Sequence, residues 1–199
     1  KIGLLFCMII SMQKKAKDTG IHYDQQASWK KVQAKAKKEK KFIFMDCFTT
    51  WCGPCKYMSA SIFSLQNVGD FMNDKFISVK VQLDTTAKDI DAVKSWYQDG
   101  HDLAKKYDVR AYPTYLICDA DGNVVHRFVG SSPADEFLAA IKKSLNPETQ
   151  YYTLLNQYKN GKKDKEFLYN MANASADAYD MENANKIANE YLATQNDLY

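Results

Sequence analysis

The sequence has few of the residues that dominate fibrous and low-complexity chains. Its 199 residues include only 8 glycines and 4 prolines, which excludes collagen-like and low-complexity proteins. Five cysteines are too few for a scaffold held together by disulfides. Hydrophobic residues make up 46% of the chain and charged residues 26%, so a packed core can form. The length suits one ordinary domain with an appendage.

Positive charge is concentrated near the N-terminus. Residues 14–41 hold ten lysines against three acidic residues, a net charge of +7, whereas residues 42–199 hold 16 basic and 21 acidic residues, a net charge of −5. The body of the protein is therefore mildly acidic, and no nucleic-acid partner is expected. Ser28 is the predicted N-cap of a lysine-rich helix over 29–41. We interpret this helix as solvated, with an anionic membrane surface as the alternative.

The N-terminus combines a lysine with an apolar run at 2–10 and a polar lead-in over 14–27. Nine apolar residues cannot span a bilayer, so no integral membrane span is expected. A basic start, a short apolar stretch and polar sequence directly after it are typical of a secretory signal peptide, expected over residues 1–13. The pattern favours a periplasmic or otherwise extracytoplasmic location. The alternatives are a buried strand of the mature domain and a cytoplasmic location.

Apolar runs and turn signals predict alternating strands and helices as far as residue 146. Continuous apolar runs are typical of strands buried on both faces, and Asp-Ala-Asp-Gly-Asn is a strong hairpin turn. The predicted strands are 42–48, 76–83, 115–118 and 124–128; the predicted helices after the first are 52–60, 67–73, 102–107 and 133–145, with 85–99 partly helical. The pattern implies an α/β fold with a mixed sheet.

Composition shifts at residue 147 towards Tyr, Asn, Ala and Lys, and no strand pattern follows. We predict two parts, an α/β domain at 28–146 and a helical extension at 147–199 with helices at 148–159, 164–179 and 181–193. Small and aromatic residues at helical-hairpin spacing make the extension similar to one degraded tetratricopeptide-type unit. One such unit cannot bury its apolar face alone. It must dock on the α/β domain, pair with another chain, or continue beyond Tyr199.

A Cys-x-x-Cys motif, Cys52-Gly53-Pro54-Cys55, lies between a predicted buried strand and a predicted helix. The first cysteine then sits near unpaired backbone N–H groups and the positive end of the helix dipole. This lowers the pKa of its thiol below the free value of about 8.5 and supplies thiolate near neutral pH. Cys55 lies about one turn inside. Gly53 permits the tight turn, and Pro54 fixes φ where no backbone donor is needed.

Two other interpretations of this motif are less favoured. The motif could be half of a zinc site, but the chain has no second Cys-x-x-Cys, and His22, His101 and His126 are scattered and interpreted as surface or loop residues. No metal and no cofactor are therefore expected. A purely structural disulfide is the second alternative, and redox chemistry is favoured over it. Cys47 and Cys118 lie in predicted strands and are expected to be buried, inert thiols.

Several motifs in order resemble the thioredoxin family. They are Trp51-Cys52-Gly53-Pro54-Cys55-Lys56, a preceding Asp46, Lys80, Tyr112-Pro113-Thr114 and Gly130. The resemblance covers 28–146, is closest to extracytoplasmic thioredoxin-like domains, and implies a thioredoxin fold with a cis peptide bond before Pro113. Departures from the family pattern are Thr49-Thr50 before the tryptophan, Cys47 in place of an aromatic residue, and Tyr112.

The resemblance implies roles for these residues. Cys52 is the expected nucleophile and Cys55 the resolving thiol, while buried Asp46 accepts the proton of Cys55 and Lys80 tempers the pKa of that carboxyl. An exposed strand lysine remains the alternative for Lys80, as simple packing does for the tryptophan beside the motif. The residues expected to contact substrate are Trp51, Gly53, Pro54, Tyr112, Pro113 and Thr114.

The predicted function is reduction of protein disulfides through a dithiol/disulfide couple. The expected partners are disulfide-containing proteins, an unidentified thiol electron donor and a possible protein partner for the helical extension. An oxidase or isomerase is one alternative, since direction follows the redox potential and not the motif. A redox-sensitive binding or scaffold module that uses the extension is another.

Overall fold

A mixed sheet lies at the centre of the molecule. The computed structural model describes residues 19–24 and 28–196, and the expected signal peptide at 1–13 lies outside them. In this part of the chain the strand order is β2-β1-β3-β4, with β1 parallel to β2 and β3 antiparallel to both its neighbours. The strands are β1 (Phe42–Phe48), β2 (Phe76–Gln82), β3 (Thr114–Cys118) and β4 (Val124–Val129). The predicted α/β fold and its hairpin are confirmed.

Helices cover both faces of this sheet. One face packs under α1 and α5, and the other under α3 and α6. The helices up to residue 143 are α1 (Trp29–Glu39), α2 (Gly53–Tyr57), α3 (Gln66–Lys75), α4 (Asp91–Lys94), α5 (Tyr97–Lys106) and α6 (Ala134–Lys143), and α2 continues as a π-helical turn, Met58–Ile62. No helix within the described ranges combines the length and the apolar character that crossing a bilayer requires.

Strand β1 is buried on both faces because helices cover both faces of the sheet, while β2 and β3 cover its two edges. Successive side chains point to opposite faces of a strand. Met45 and Cys47 therefore pack with α1 and α5, whereas Phe44 packs with α3 and α6. This position explains the nearly continuous apolar sequence of the strand. It also places Asp46, by parity with Phe44, on the face that carries the π-helical turn after α2.

Ser28 occupies the predicted N-cap position of α1, but its hydroxyl makes no capping hydrogen bond. The Ser28 carbonyl accepts the hydrogen bond from the N–H of Val32 (3.0 Å) that starts the helix. The helix buries Val32 and Ala36 against the sheet and leaves its lysines at the surface. Packing of this narrow apolar stripe therefore holds α1 in place, without help from a side-chain cap.

The C-terminal extension folds as three helices with a core of their own: α7 (Tyr151–Lys159), α8 (Lys165–Asp177) and α9 (Met181–Asn196). The extension docks on the α/β domain, which was one of the three alternatives. Helix α7 packs on β4, and the ring of Tyr152 meets that of Tyr107 edge-on at 5.8 Å. A sheet edge exposes unpaired backbone groups, so α7 shields the edge strand from solvent. The likeness to a tetratricopeptide unit stays a prediction.

His126 corrects a prediction from the sequence, because it is neither a surface nor a loop residue. It lies in β4, is 3% exposed, and its Nδ1 accepts a hydrogen bond from the backbone N–H of Tyr151 (3.0 Å) at the start of α7. Burial, with a smaller contribution from Lys143, lowers the pKa of His126 to about 4, and Asp177 opposes the shift. His126 is buried because α7 docks beside it, and the sequence of β4 alone does not indicate this burial.

Acidification is expected to weaken the protein through His126. The unfolded histidine titrates near pH 6.5 and the folded one near pH 4, so between these values the unfolded state binds more protons and the free energy of unfolding falls with falling pH. His126→Asn keeps an acceptor for the Tyr151 N–H and removes the titration. Between pH 7 and pH 4.5 the variant is expected to lose about 2 kcal/mol less than the wild type, measured by urea unfolding at both pH values. Equal losses in the two proteins would contradict this.

Candidate active site

The two cysteines of the Cys-x-x-Cys motif meet at the first turn of α2. Cys52 is the N-cap residue, and its Sγ is bonded to Cys55 Sγ at 2.05 Å. The backbone N–H of Cys55 points at Cys52 Sγ from 3.1 Å. Cys52 and Cys55 are 3% and 5% exposed, while Gly53 and Pro54 between them face solvent. A backbone donor directed at Cys52 Sγ is the arrangement that stabilises a thiolate once the disulfide opens.

The loop that delivers Cys52 is clamped by an aspartate that the sequence analysis missed. The N–H of Thr50 donates to Asp84 Oδ1 (2.9 Å), and the Thr50 hydroxyl donates to the other oxygen of the same carboxylate. Leu83 N–H donates to Phe48 O (2.9 Å), which continues the β1–β2 pairing into this loop. Asp84 lies two residues beyond the end of β2, the strand parallel to β1. The signal in the sequence that could have indicated this contact was an acidic residue immediately after the predicted strand 76–83.

Asp46 is buried on the sheet face that supports the π-helical turn. It is 2% exposed, and its Oδ1 has no hydrogen-bond partner among the described residues. Lys80 is its cross-strand neighbour, with Nζ 3.7 Å from Asp46 Oδ2. Burial raises the pKa of Asp46 to about 6, and Lys80 limits the rise. The carboxyl therefore changes protonation state close to neutral pH, which an exposed aspartate does not.

Lys80 connects this carboxylate to the helix that carries Cys55. Its Nζ donates to Ser59 Oγ (2.6 Å) and lies 5.1 and 5.2 Å from the ring centroids of Tyr23 and Phe48. The Lys80 side chain is 23% exposed, so it is not the exposed strand lysine of the alternative interpretation. Ser59 follows Cys55 by four residues, which is about one helical turn. A chain of contacts therefore runs from Asp46 in the sheet through Lys80 to Ser59, which lies in the π-helical turn that follows the helix of Cys55.

Two aromatic residues form a rim beside the disulfide. Trp51 is 68% exposed, and its ring meets that of Tyr112 edge-on with centroids 5.8 Å apart. The Tyr112–Pro113 peptide bond is cis, as the resemblance implies, and Gly130 N–H donates to Pro113 O (2.9 Å). The exposed indole packs against little besides Tyr112, so most of its surface is free to contact another molecule.

Thr114 does not reach the surface. Its side chain is fully buried, and the hydroxyl donates to Ala111 O (2.7 Å) on the far side of Pro113. A buried, internally bonded hydroxyl has no donor left for a substrate. The expected substrate contact through this side chain is therefore not what the structure shows, and Thr114 instead braces the loop that holds the cis-proline.

The remaining cysteines in the described part of the chain, Cys47 and Cys118, are buried free thiols, as expected. Burial raises the pKa of Cys47 strongly and that of Cys118 to about 12. In the β1–β3 register Cys118 is opposite Ile43 and Cys47 is opposite Thr114, so the two thiols lie at opposite ends of the strand pair. Thiols with such raised pKa values react slowly, which leaves Cys52 and Cys55 as the reactive pair.

Comparison with known proteins gives the family. A family model for the thioredoxin-like domain matches residues 29–145, more than half of the chain. The chain belongs to the thioredoxin-like family. This thioredoxin-like chain is 31% identical to the chloroplastic thioredoxin Y of Oryza sativa subsp. japonica over 108 residues, 54% of either chain. It is 33% identical to the mitochondrial thioredoxin of Bos taurus over 101 residues, 51% of this chain and 50% of that one.

Solved structures of the same fold include two that resemble the thioredoxin-like chain. The solution structure of a candidate disulphide-isomerase from Bacteroides thetaiotaomicron is 36% identical, with a TM-score of 0.53 over 66% of this chain and 98% of that one. A DsbH oxidoreductase, 18% identical, gives a TM-score of 0.52 over 68% of this chain and 92% of that one, which shows the fold alone. The thioredoxin-like chain spans about half the length of the curated relatives it matches.

Proposed function

We propose that this chain is a protein thiol–disulfide oxidoreductase that reduces disulfides in other proteins. The Cys52–Cys55 disulfide at the start of α2 is the observation that carries the proposal. Two cysteines at this spacing can be reduced to thiols by two electrons and oxidised to the disulfide again. The exposed Trp51 beside it supports contact with a large substrate, because a small thiol needs no such surface.

The proposed reaction has two exchanges, and its electrons balance. The thiolate of Cys52 attacks one sulfur of a substrate disulfide, which forms a mixed disulfide and releases the first substrate thiolate. Cys55, once deprotonated, attacks Cys52 Sγ, which releases the second substrate thiolate and leaves the Cys52–Cys55 disulfide. The substrate gains two electrons and the chain loses two. A thiol electron donor then reduces the pair again and completes the cycle.

Asp46 is the proposed acceptor of the Cys55 proton, directly or through a water. A general base works best when its pKa lies near the working pH, and the raised pKa of Asp46, about 6, supports this role. The contact of Lys80 with Ser59, one turn beyond Cys55, supports a position of the carboxylate behind this cysteine. Lys80 would stabilise the charged form of Asp46, which must be present before each proton transfer.

The proposed substrates are proteins with accessible disulfides. Trp51 and Tyr112 would contact the apolar surroundings of such a disulfide, while Gly53 and Pro54 leave the approach to it open. Pro113 has no N–H of its own, so the loop beside it can present backbone to an extended substrate segment. The extracytoplasmic location expected from the apolar run at 2–10 is part of the proposal.

Disulfide isomerisation is the second candidate function. The similarity to a candidate disulphide-isomerase at 36% identity favours it. An isomerase uses the same attack by Cys52 but releases a rearranged substrate without net electron transfer. The equilibrium potential of the pair separates the two functions.

The test is a redox titration of the full chain against glutathione, with a parallel assay of insulin disulfide reduction. A reductase is expected to have a potential near that of thioredoxin, about −270 mV, and to accelerate insulin reduction. A potential near about −180 mV would support isomerisation instead. Absence of insulin reduction, together with a pair that stays oxidised in excess dithiothreitol, would overturn both functions and leave a structural disulfide.

A further inference from the structure

A cleft of about 500 Å³ lies between the α/β domain and the helical extension. One wall is the segment after α5, from Tyr107 to Arg110, and the other is formed by the starts of α7 and α9. Arg127 of strand β4 lies in its lining, next to the ring of Tyr152. The cleft exists only because α7 docks beside β4, and the proposed redox reaction does not use it.

Arg127 is the unusual residue of this cleft. Its side chain is buried, 6% exposed, and its Nη1 donates to Tyr107 O (2.6 Å). Its Nε has no hydrogen-bond partner among residues 19–24 and 28–196. A guanidinium removed from water needs hydrogen bonds and a counter-charge to offset the cost of desolvation. One backbone carbonyl and a tyrosine hydroxyl do not supply that counter-charge.

Three acidic residues line the cleft, namely Asp108, Asp180 and Glu182. Asp108 forms its ion pair with exposed Arg110. Asp180 caps α9, with Oδ1 accepting from the N–H of Asn183 and Oδ2 accepting from the hydroxyl of Tyr151. Asp108 and Asp180 thus have hydrogen-bond partners other than Arg127. Arg127 is near enough to Asp180 to help lower the pKa of that carboxyl, but among the described residues it forms no ion pair with any of the three carboxylates. Because none of these carboxylates contacts it directly and its Nε has no partner, the guanidinium can still bind a carboxylate that arrives from outside, and a bidentate contact is its preferred geometry.

The cleft is within reach of the redox site along one short segment. Arg110, at the cleft wall, is two residues from Tyr112, which contacts Trp51 at the rim of the disulfide. Two residues of chain span at most about 7 Å. A substrate segment bound along the Pro113 loop would therefore enter the cleft within about four residues of its own disulfide. The rings of Tyr107 and Tyr152, 5.8 Å apart, provide walls for the apolar part of an incoming side chain.

We propose that this cleft is a specificity subsite for substrate polypeptides that carry an aspartate or glutamate within about four residues of the disulfide. Arg127 binds that carboxylate, and the helical extension closes the site by supplying Tyr152 and the turn before α9. The inference rests on the proposed function and deepens it. It gives the extension a role in substrate choice, and the chemistry at Cys52 and Cys55 is unchanged.

The experiment uses pairs of synthetic disulfide-cyclised peptides that are identical except for one residue. Each pair carries glutamate or glutamine at one of the four positions on either side of the disulfide. The full chain is reduced first, and its oxidation by each peptide is followed through tryptophan fluorescence as a function of peptide concentration. At one or two positions the glutamate peptide is expected to half-saturate the reaction at about ten-fold lower concentration than its glutamine twin.

Variants at two arginines test the assignment. The quantity compared is the ratio of half-saturating concentrations of the glutamine and glutamate peptides. Arg127→Met is expected to bring this ratio to within two-fold of unity. Arg127→Lys keeps the charge but lacks the planar guanidinium, and it is expected to give an intermediate ratio. Arg110→Gln tests the other arginine of the cleft wall, which is exposed and paired with Asp108: a kept ratio assigns the carboxylate to Arg127, and a lost ratio would overturn that assignment.

The outcomes separate the subsite from the underlying function. Oxidation of the wild-type chain by all peptides with equal concentration dependence for every twin would overturn the subsite and leave the proposed function intact. Failure of every peptide to oxidise the chain would overturn the proposed function itself. The wild-type comparison needs no variant, so it tests the subsite even if Arg127→Met fails to fold, and Arg127→Lys then tests the arginine.

Discussion

Replacing Cys52 with serine is expected to abolish disulfide reduction, whereas replacing Cys55 with serine is expected to give a protein that accumulates as a mixed disulfide with its substrate. A serine hydroxyl is not ionised near neutral pH and does not attack sulfur, so the first exchange cannot begin without Cys52. Without Cys55 the first exchange proceeds and the second cannot. The measurements are an insulin reduction assay and non-reducing electrophoresis of the acid-quenched mixture.

Cys118→Ala is the matched control for these two variants. It removes a buried free thiol whose pKa is raised to about 12 and which lies outside the redox pair, so near wild-type insulin reduction is expected. Equal residual activity in Cys52→Ser and Cys55→Ser would contradict the division of labour between the two cysteines. If a mixed disulfide formed with Cys52→Ser and not with Cys55→Ser, Cys55 would be the nucleophile and Cys52 the resolving thiol.

The parts of the fold that were predictable are those whose cause is local or periodic. Strand β1 has the predicted bounds because burial on both faces demands a continuous apolar run, and the β3–β4 hairpin follows from a turn sequence. The Cys52–Cys55 pair was predictable for the same reason, since four consecutive residues at a helix start contain the whole geometry. Asp46 stood out as one acidic residue within an apolar run.

The parts that were not predictable depend on contacts between distant segments. Asp84 and Thr50 meet only because β1 and β2 are parallel neighbours, and residues 34 apart carry no shared pattern. The buried states of His126 and Arg127 arise from the docking of α7 on the edge strand, which the sequence left as one of three alternatives. Thr114 was selected because it belongs to a family motif, but the motif does not show that its side chain points inward and bonds to Ala111 O.

Asp46→Asn is expected to slow the second exchange by about a hundred-fold at pH 7, because the amide cannot accept the proton of Cys55. The first exchange, which depends on Cys52, is expected to be much less affected. Rapid-quench measurement of the mixed disulfide separates the two steps: it is expected to persist longer in the variant than in the wild type. The slow step should recover at higher pH, where hydroxide removes the proton. A mixed disulfide with wild-type lifetime at pH 7 would exclude Asp46 as the base.

The same substitution is expected to stabilise the protein, and the pH dependence gives the reason. The pKa of Asp46 is raised to about 6 by burial, whereas an unfolded aspartate titrates near pH 3.9, so the native state binds more protons between these values. The free energy of unfolding therefore falls as pH rises through this window, by roughly 2 to 3 kcal/mol. Asp46→Asn removes that loss, and urea unfolding at pH 7 should show the variant more stable by about this amount.

The effects of Asp46 and His126 on stability have opposite signs over nearly the same pH range. Rising pH between 4 and 6 costs stability through Asp46 and restores it through His126, so the wild type is expected to show a shallow pH profile there. Asp46→Asn alone should leave a profile that rises with pH, and His126→Asn alone one that falls. Parallel profiles in the two single variants would contradict both assignments. A buried carboxylate retained at this cost in stability suits a proton acceptor at a redox site, since burial is what brings the pKa of Asp46 near neutrality.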